Sequence, residues 1–573
     1  VLFESQPGFH VTANLYKPTA KPGAAETRLP AVLHPVGHSE NGKAYAEYQR
    51  ANRLLVEQGF IVLCYDPIGQ GERKQLFSVN GGPAKEARPT HQASGEHQAL
   101  GTPPILLGRG LGTYMLWDAI RALDYLCERP DVDSQRIGCT GISGGGNLTS
   151  YLMAYDERIA AAAPGCFMTT HRRKNESPGP GDAEQNLFDQ IRAGFDHPDF
   201  ILARAPKPTL ILTASNDFVP IEGSWEAFRE AKRVYTRLGH PERVDLVEAN
   251  AKHGFSRRLR EATARFMTRW LQGQEIEVFE EDQPVGPPSQ ATLVRPGGPV
   301  LTDEQLRVTP NGQVMWLANE RSLLELYAEE EQRLAKQRPG HRALQGSPAM
   351  EARSVTMPEL IRQVTGIRAL PDLPRSRVER IDAKPDRNSP GEGPARLVLH
   401  PEPGISLPAL YWANGDKQPI VIAPAKGMNA AVEQAQRLHA SGHPVLIVEV
   451  RDTGETATRN WRFPGADFYI ALMLGKSYLA MRAEDILVAS QWLASQHSAG
   501  SVQLISDGEI GPAAWHAAAL EPQLVTSIET SGDLQSWQQL MSSPESSRHL
   551  HNAVHGALRH YDLPDLRALV DQR

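Results

Sequence analysis

Gly141-Ile142-Ser143-Gly144-Gly145 sets a serine between glycines, after an apolar strand-like run (136–141) and before an apolar helical pattern (147–154). A strand–turn–helix elbow of this kind lifts a serine hydroxyl clear of the end of a strand. The flanking glycines have a steric reason, because Cβ atoms beside so tight a turn would clash with the neighbouring strand and helix. The helix that follows turns its N-terminus towards the reacting centre and favours developing negative charge. A glycine-rich turn without chemistry is the plainer alternative, and the correct flanks weigh against it.

A serine hydroxyl becomes a useful nucleophile when a histidine takes its proton and a carboxylate orients that histidine. Asp217 lies just past the strand-like run 208–214, and His253 just past 244–248. Taken singly, Asp217 reads as a helix cap and His253 as a surface loop residue. In the order Ser, Asp, His, each at a strand's C-terminal end, Ser143, Asp217 and His253 read as a catalytic triad. An oxyanion needs two backbone N–H donors. Gly144, after the nucleophile, and His38, in the loop that follows 30–36, are the candidates. The His38 side chain is expected to line the pocket, and a role as a second base is the lesser reading.

These residues need a scaffold, and the pattern supplies one. Strand-like runs at 30–36, 59–66, 136–141, 208–214 and 244–248 alternate with helical patterns at 47–58, 111–128, 147–154, 225–238 and 259–271. Such alternation predicts a parallel sheet covered by helices on both faces. A chain of 573 residues holds more than one such unit. The expected division is a catalytic domain over 1–272, a Pro-rich linker with a short helical connector over 273–375, and a second domain over 376–573. Pro284, Pro287, Pro288, Pro296, Pro299 and Pro310 mark the linker or extended arm, and 317–337 reads as a charged helix.

The second domain looks like a copy of the first. Leu107-Gly108 and 118–126 lie over Leu474-Gly475 and 485–493 without a gap, 367 positions apart. Residues 30–37 and 59–66 likewise resemble 419–427 and 442–449. When 501–511 is laid on 136–146, Gly508 falls where Ser143 stands, and Ser506 is two positions early, inside the strand. No counterpart of the 209–253 segment is expected to fit before Arg573. The copy therefore reads as a degenerate domain lacking a nucleophile, kept to pack on the first domain and shape a polymer-binding cleft. His551, His555 and His560 near its end read as solvated or partner-facing rather than metal-binding, although His551 and His555 could share a helix face.

Composition excludes several function classes. With 60 Lys+Arg against 67 Asp+Glu, the net charge is −7 and no basic stripe for nucleic acid is visible. The densest basic cluster, His171-Arg172-Arg173-Lys174, reads as a solvated loop. No run of about 18 apolar residues is present to span a bilayer. Four cysteines are too few for a disulfide scaffold, and Cys64 and Cys139 sit in strand-like runs as buried thiols. No His/Asp cluster has metal-ligand spacing, so neither metal nor cofactor is expected. The oligomeric state stays open.

Together with residues 34–43, Asp66-Pro-Ile-Gly-Gln-Gly-Glu-Arg73, Asn216-Asp217 and Lys252-His253-Gly254, the elbow makes 1–272 resemble an α/β-hydrolase. More narrowly it is similar to bacterial carbohydrate esterases related to acetyl xylan esterases. With Glu96-His97 and a second hydrolase-like half, it is also similar to two-part polysaccharide esterases, some of them pectin methylesterases. The fold class so implied is an α/β-hydrolase sheet with helices on both faces, followed by a linker and a degenerate α/β-hydrolase-like domain. The resemblance implies hydrolysis of an acetyl or methyl ester on a plant-type carbohydrate, with Gln70, Arg73 and His97 as substrate-binding candidates and Gln70 shaping the pocket near the oxyanion hole. A periplasmic or secreted location is the matching expectation. Two rival readings stand beside it: a serine peptidase of the oligopeptidase type, and a non-catalytic binding protein.

Overall fold

The computed structural model describes residues 1–19, 28–78, 88–279, 300–338, 356–381, 393–457 and 465–572. These divide into two compact units, one of 1–101, 110–326 and 465–466, the other of 102–109, 327–457 and 467–572.

The first unit is built on an eight-stranded sheet. Its strands are β1 (Leu2–Gln6), β2 (Phe9–Tyr16), β3 (Leu29–Pro35), β4 (Ile61–Tyr65), β5 (Val132–Ile142), β6 (Ile159–Gly165), β7 (Thr209–Asn216) and β8 (Val244–Lys252). They lie in the order β1-β2-β4-β3-β5-β6-β7-β8. From β4 to β8 neighbours run parallel, whereas β1 pairs β2 and β2 pairs β4 antiparallel. The sheet is thus mixed, not wholly parallel as the alternation predicts. The difference lies in an N-terminal hairpin and β6, which the strand–helix pattern does not reveal. Burial on both faces explains the near-continuous apolar runs of β3 to β7. Ala31, Leu33, Ile61 and Leu63 pack beneath the helices Leu111–Glu128 and Gly144–Tyr155. Val32, Val62 and Cys64, pointing the other way, pack beneath Ala46–Glu57 and Arg257–Met267. Cys64 and Cys139 are buried free thiols.

Residues 300–326 form part of the first unit and are held there by polar contacts. Glu72 accepts the N–H groups of Val308 and Thr309 at 2.8 and 2.7 Å, and Gln49 accepts that of Leu301 at 2.8 Å. The charged helix expected at 317–337 is Leu323–Ala335. Farther on, the helix Met357–Thr365 is tied into the second unit through Arg362, which donates to Glu521 at 2.6 Å. Pro284, Pro287, Pro288, Pro296 and Pro299, with 339–355 of the connector, lie outside the described residues.

The second unit carries β9 (Arg377–Arg380), β10 (Ala395–His400), β11 (Leu407–Trp412), β12 (Ile420–Ala423), β13 (Val445–Val448), β14 (Val502–Asp507) and β15 (Val525–Ser531). Their order is β15-β14-β12-β13-β11-β10-β9. Apart from β9, this repeats the run β6-β5-β3-β4-β2-β1 with the same parallel and antiparallel senses. The helices Leu111–Glu128 and Tyr478–Ser495 are both 18 residues long and lie 367 positions apart at either end. A buried carboxylate after β4, Asp66, accepts the Lys43 N–H at 2.7 Å, and Glu449 after β13 accepts the Met428 N–H at 2.7 Å. The turn after β14 holds Gly508 at φ 48°, and the turn after β5 holds Ser143 at φ 61°. Beyond β15 the described chain forms short 3-10 segments and the helix Leu563–Asp571, with no counterparts of β7 and β8 among the described residues. The kinked 3-10 segment Ser546–Asn552 stops short of His555, so His551 and His555 share no helix face. His551 instead meets Asp467 at 3.1 Å and Asp452 at 3.4 Å. No helix among the described residues is long and apolar enough to cross a membrane.

Candidate active site

Ser143 joins β5 to the helix Gly144–Tyr155 with φ 61° and ψ −120°. That is a conformation L-residues avoid unless their surroundings enforce it. Here the enforcement is packing. A Cβ at Gly141 or Gly145 would stand 2.4 or 2.3 Å from the Pro35 carbonyl oxygen, so β3 presses the turn from one side. From the other, the Ser143 N–H donates to Gly165 of β6 at 2.9 Å. Gly144 opens the helix, and its N–H belongs to the first-turn donors that a helix cannot satisfy internally.

Asp217 follows β7 directly, and its side chain is 1% exposed. It accepts the Val219 N–H at 3.0 Å and the His253 Nδ1–H at 2.7 Å. His253 follows β8, and the Phe218 ring lies over its imidazole at 4.3 Å between centroids. With Nδ1 donating to Asp217, Nε2 is the ring nitrogen left to take a proton. Ser143 and His253 line the same pocket, of about 250 Å³. Three residues far apart in sequence thus stand at the C-terminal ends of β5, β7 and β8, with Asp217 and His253 in contact.

The candidate oxyanion loop is braced from below. Gln70, 1% exposed, accepts the Ser39 N–H at 2.9 Å, so it holds the loop in place. The His38 ring lies against the elbow, with its Cε1 3.0 Å from where a Gly144 Cβ would stand. Arg73 is different. It is fully buried, donates to Asp118 at 2.7 Å and to the His10 carbonyl at 2.8 Å, and packs on the Phe9 ring. Its place is inside the unit as a strut, away from the pocket wall, which corrects its reading as a substrate contact. His97 is likewise fully buried and sits behind His38, with His38 Nε2 3.1 Å from His97 Nδ1. Burial opposes a charge on His97, but the adjacent Glu184 carboxylate outweighs it and lifts the imidazole to about 9.

The pocket walls contain residues the sequence does not mark. Cys166, at φ 48°, and Phe167 follow β6, and Phe218 covers the histidine. The basic cluster expected to be a solvated loop is a short helix, His171–Glu176, whose Lys174 forms part of the wall. Lys174 donates to Gln185 at 2.9 Å and lies over the Phe167 ring. Burial lowers its ammonium to about 8, partly countered by Asp182 and Glu184. Burial likewise pushes the Cys166 thiol above its ordinary range, with Asp217 adding to the effect. Spacing in the sequence shows no metal-ligand cluster, yet folding brings His38, His97 and Glu184 together from three separate segments.

Residues 107–274, spanning the elbow, Asp217 and His253, match the model of the prolyl oligopeptidase family. A Bacillus subtilis protein named "Putative hydrolase YtaP" is 27% identical over 273 residues, which are 44% of this chain and 82% of that protein. Among solved structures, Methylesterase BT1017 aligns with TM-score 0.42 and 20% identity, over 58% of this chain and 66% of that one. A family 15 glucuronoyl esterase from Caldicellulosiruptor kristjansonii aligns with TM-score 0.33 and 18% identity, over 52% of this chain and 79% of that one. The first unit has the α/β-hydrolase fold, with Ser143, Asp217 and His253 at the C-terminal ends of β5, β7 and β8.

Proposed function

We propose that the first unit is a serine esterase that hydrolyses an acetyl or methyl ester on a carbohydrate. Ser143 Oγ attacks the ester carbonyl carbon while His253 Nε2 takes its proton, and Asp217 holds the imidazole in the tautomer that can accept it. The oxyanion is stabilised by the N–H groups of Gly144 and His38, each donor of this kind contributing about 3 kcal/mol to transition-state binding. Collapse of the tetrahedral adduct expels the alcohol, protonated by His253, and leaves an acyl-enzyme. Water, deprotonated by the same histidine, then attacks the acyl carbon and releases the acid. The 2.7 Å contact of His253 Nδ1 with Asp217, in a pocket that the Ser143 elbow opens into, carries this reading. A carbohydrate partner is supported by the wall chemistry. Ser94, Asp182, Gln185 and Lys174 offer polar partners for hydroxyls, and Phe167 and Phe218 offer faces for sugar C–H groups.

A serine peptidase of the oligopeptidase type is the second reading, favoured by the family match over 107–274. Methanol and acetate release from pectin and acetylated xylan, measured beside cleavage of a peptide amide, separates the two. Ester release with no amide cleavage is expected. Peptide cleavage exceeding ester release would overturn the esterase reading.

A further inference from the structure

Four side chains at the candidate oxyanion loop converge without touching the reacting atoms, Asp182 among them also lining the pocket. We infer that His38, His97, Glu184 and Asp182 form a binding site for a divalent metal ion of the zinc type. His38 Nε2 lies 3.1 Å from His97 Nδ1, 3.1 Å from Glu184 Oε1 and 3.6 Å from Asp182 Oδ2. His97 Nδ1 lies 3.1 Å from Glu184 Oε2. Zinc holds N and O ligands at about 2.0–2.2 Å, so the ligand-to-ligand edges of a tetrahedron around it are about 3.3–3.6 Å. The cluster therefore has nearly the dimensions of an ion's inner shell.

Hydrogen positions point the same way. His97 Nε2 is 2.8 Å from the Ile68 carbonyl oxygen, which can only accept, so Nε2 carries the hydrogen. In a neutral ring, the Nδ1 lone pair then faces the cluster. Metal-binding histidines are commonly arranged so, the far nitrogen donating to a backbone carbonyl. Both Glu184 oxygens are buried, and neither has a hydrogen-bond partner of acceptable alignment despite the imidazole nitrogens 3.1 Å away. The side chains of Glu184 and His97 are 0% exposed and that of Asp182 is 8% exposed.

A divalent cation suits the charge of a cluster in which two carboxylates face two imidazoles. The donor set of two imidazoles and carboxylate oxygens suits zinc, whereas calcium and magnesium prefer all-oxygen shells. An ion bound there would pin His38, and with it the loop whose N–H is assigned to the oxyanion, and would add positive charge beside that loop.

The test uses the full chain, stripped with chelator, reloaded with zinc and assayed for bound metal by mass spectrometry. One zinc per chain is expected, with a rise of several degrees in Tm. His97→Gln and Glu184→Gln should each lose that zinc while keeping the far-ultraviolet spectrum of the parent. His551→Ala, at the separate Asp452–Asp467–His551 cluster, should keep it. Cobalt in place of zinc should give the intense visible bands of a tetrahedral site in the parent and in neither His97→Gln nor Glu184→Gln. Failure of the stripped chain to take up zinc, retention of zinc in Glu184→Gln, or its loss in His551→Ala would each overturn the proposal. None of these readouts depends on esterase activity, so the metal site and the proposed reaction fail separately.

Discussion

Ser143, Asp217 and His253 were legible because each stands immediately after a strand, where sequence position and spatial position coincide. Replacing Ser143 by Ala should leave the fold intact and lower ester hydrolysis at least about 10³-fold, and Asp217→Asn about 10⁴-fold through the wrong histidine tautomer. Steady-state kinetics beside a circular dichroism spectrum checks both. Gln70→Ala should lower kcat by about tenfold to a hundredfold with little change in KM, because its contact is with the Ser39 N–H and its effect passes through the loop. Arg73 was not legible. A motif gives the residue type, but a buried strut and a pocket cation look alike until Asp118, 45 positions away, is seen beside it. Arg73→Ala should therefore cost about 3–5 kcal/mol in urea unfolding by stranding Asp118, with KM of the folded protein unchanged. A raised KM at unchanged stability would restore Arg73 to the pocket.

Among elements, the long apolar helices and central strands follow from periodicity, and Leu111–Glu128 was bounded to the residue. The N-terminal hairpin and β6 were missed. The hairpin runs antiparallel at a sheet edge, and β6 is a short alanine-rich strand whose pattern does not distinguish it from a helix. Residues 300–326 show what composition leaves open, since a proline- and acid-rich stretch reads as a linker or an extended arm, and part of it is anchored. Glu72 is that anchor, accepting from Val308, from the Thr309 N–H and hydroxyl, and from Lys43. Glu72→Ala removes these acceptors and leaves Lys43 short of a partner, at a cost of about 2–4 kcal/mol. Limited proteolysis should then cut near 300–314 faster than in the parent, and equal cutting rates would show that other contacts hold the segment.

At the scale of the whole molecule, two units share one sheet topology, and among the described residues only the first carries the strands that bring in an acid and a histidine. Restoring a hydroxyl to the second elbow should therefore do nothing. A Ser143→Ala/Gly508→Ser double variant is expected to be as inactive as Ser143→Ala alone, and measurable turnover in a p-nitrophenyl acetate assay would refute this. Each unit also buries a histidine that its surroundings keep neutral, His34 in the first and His516 in the second, both pushed down to about 4 by burial. The unfolded chain protonates such groups near 6.5, so it takes up protons first as pH falls. Their contribution to stability is complete above about pH 6.5 and is lost as pH falls towards 4, by about 3 kcal/mol for each histidine. Urea midpoints should drop steadily between pH 7 and 4.5, and a flat profile would argue that neither ring is held neutral.

Sequence alone determined most of the strand and helix order, β6 and the N-terminal hairpin apart, together with the elbow and its two candidate partners and the repetition of the architecture without a nucleophile. These follow from local rules, since periodicity, glycine at a strained turn and position at a strand end all act over a few residues. Tertiary structure decided what those rules cannot reach. It turned Arg73 inward, put Lys174 in the pocket wall, drew 300–326 onto the first sheet, and gathered His38, His97, Asp182 and Glu184 into one buried cluster. Each of these depends on polar groups from separate stretches of chain meeting one another, and the energy of such a meeting exists only once the low-dielectric interior has formed around it.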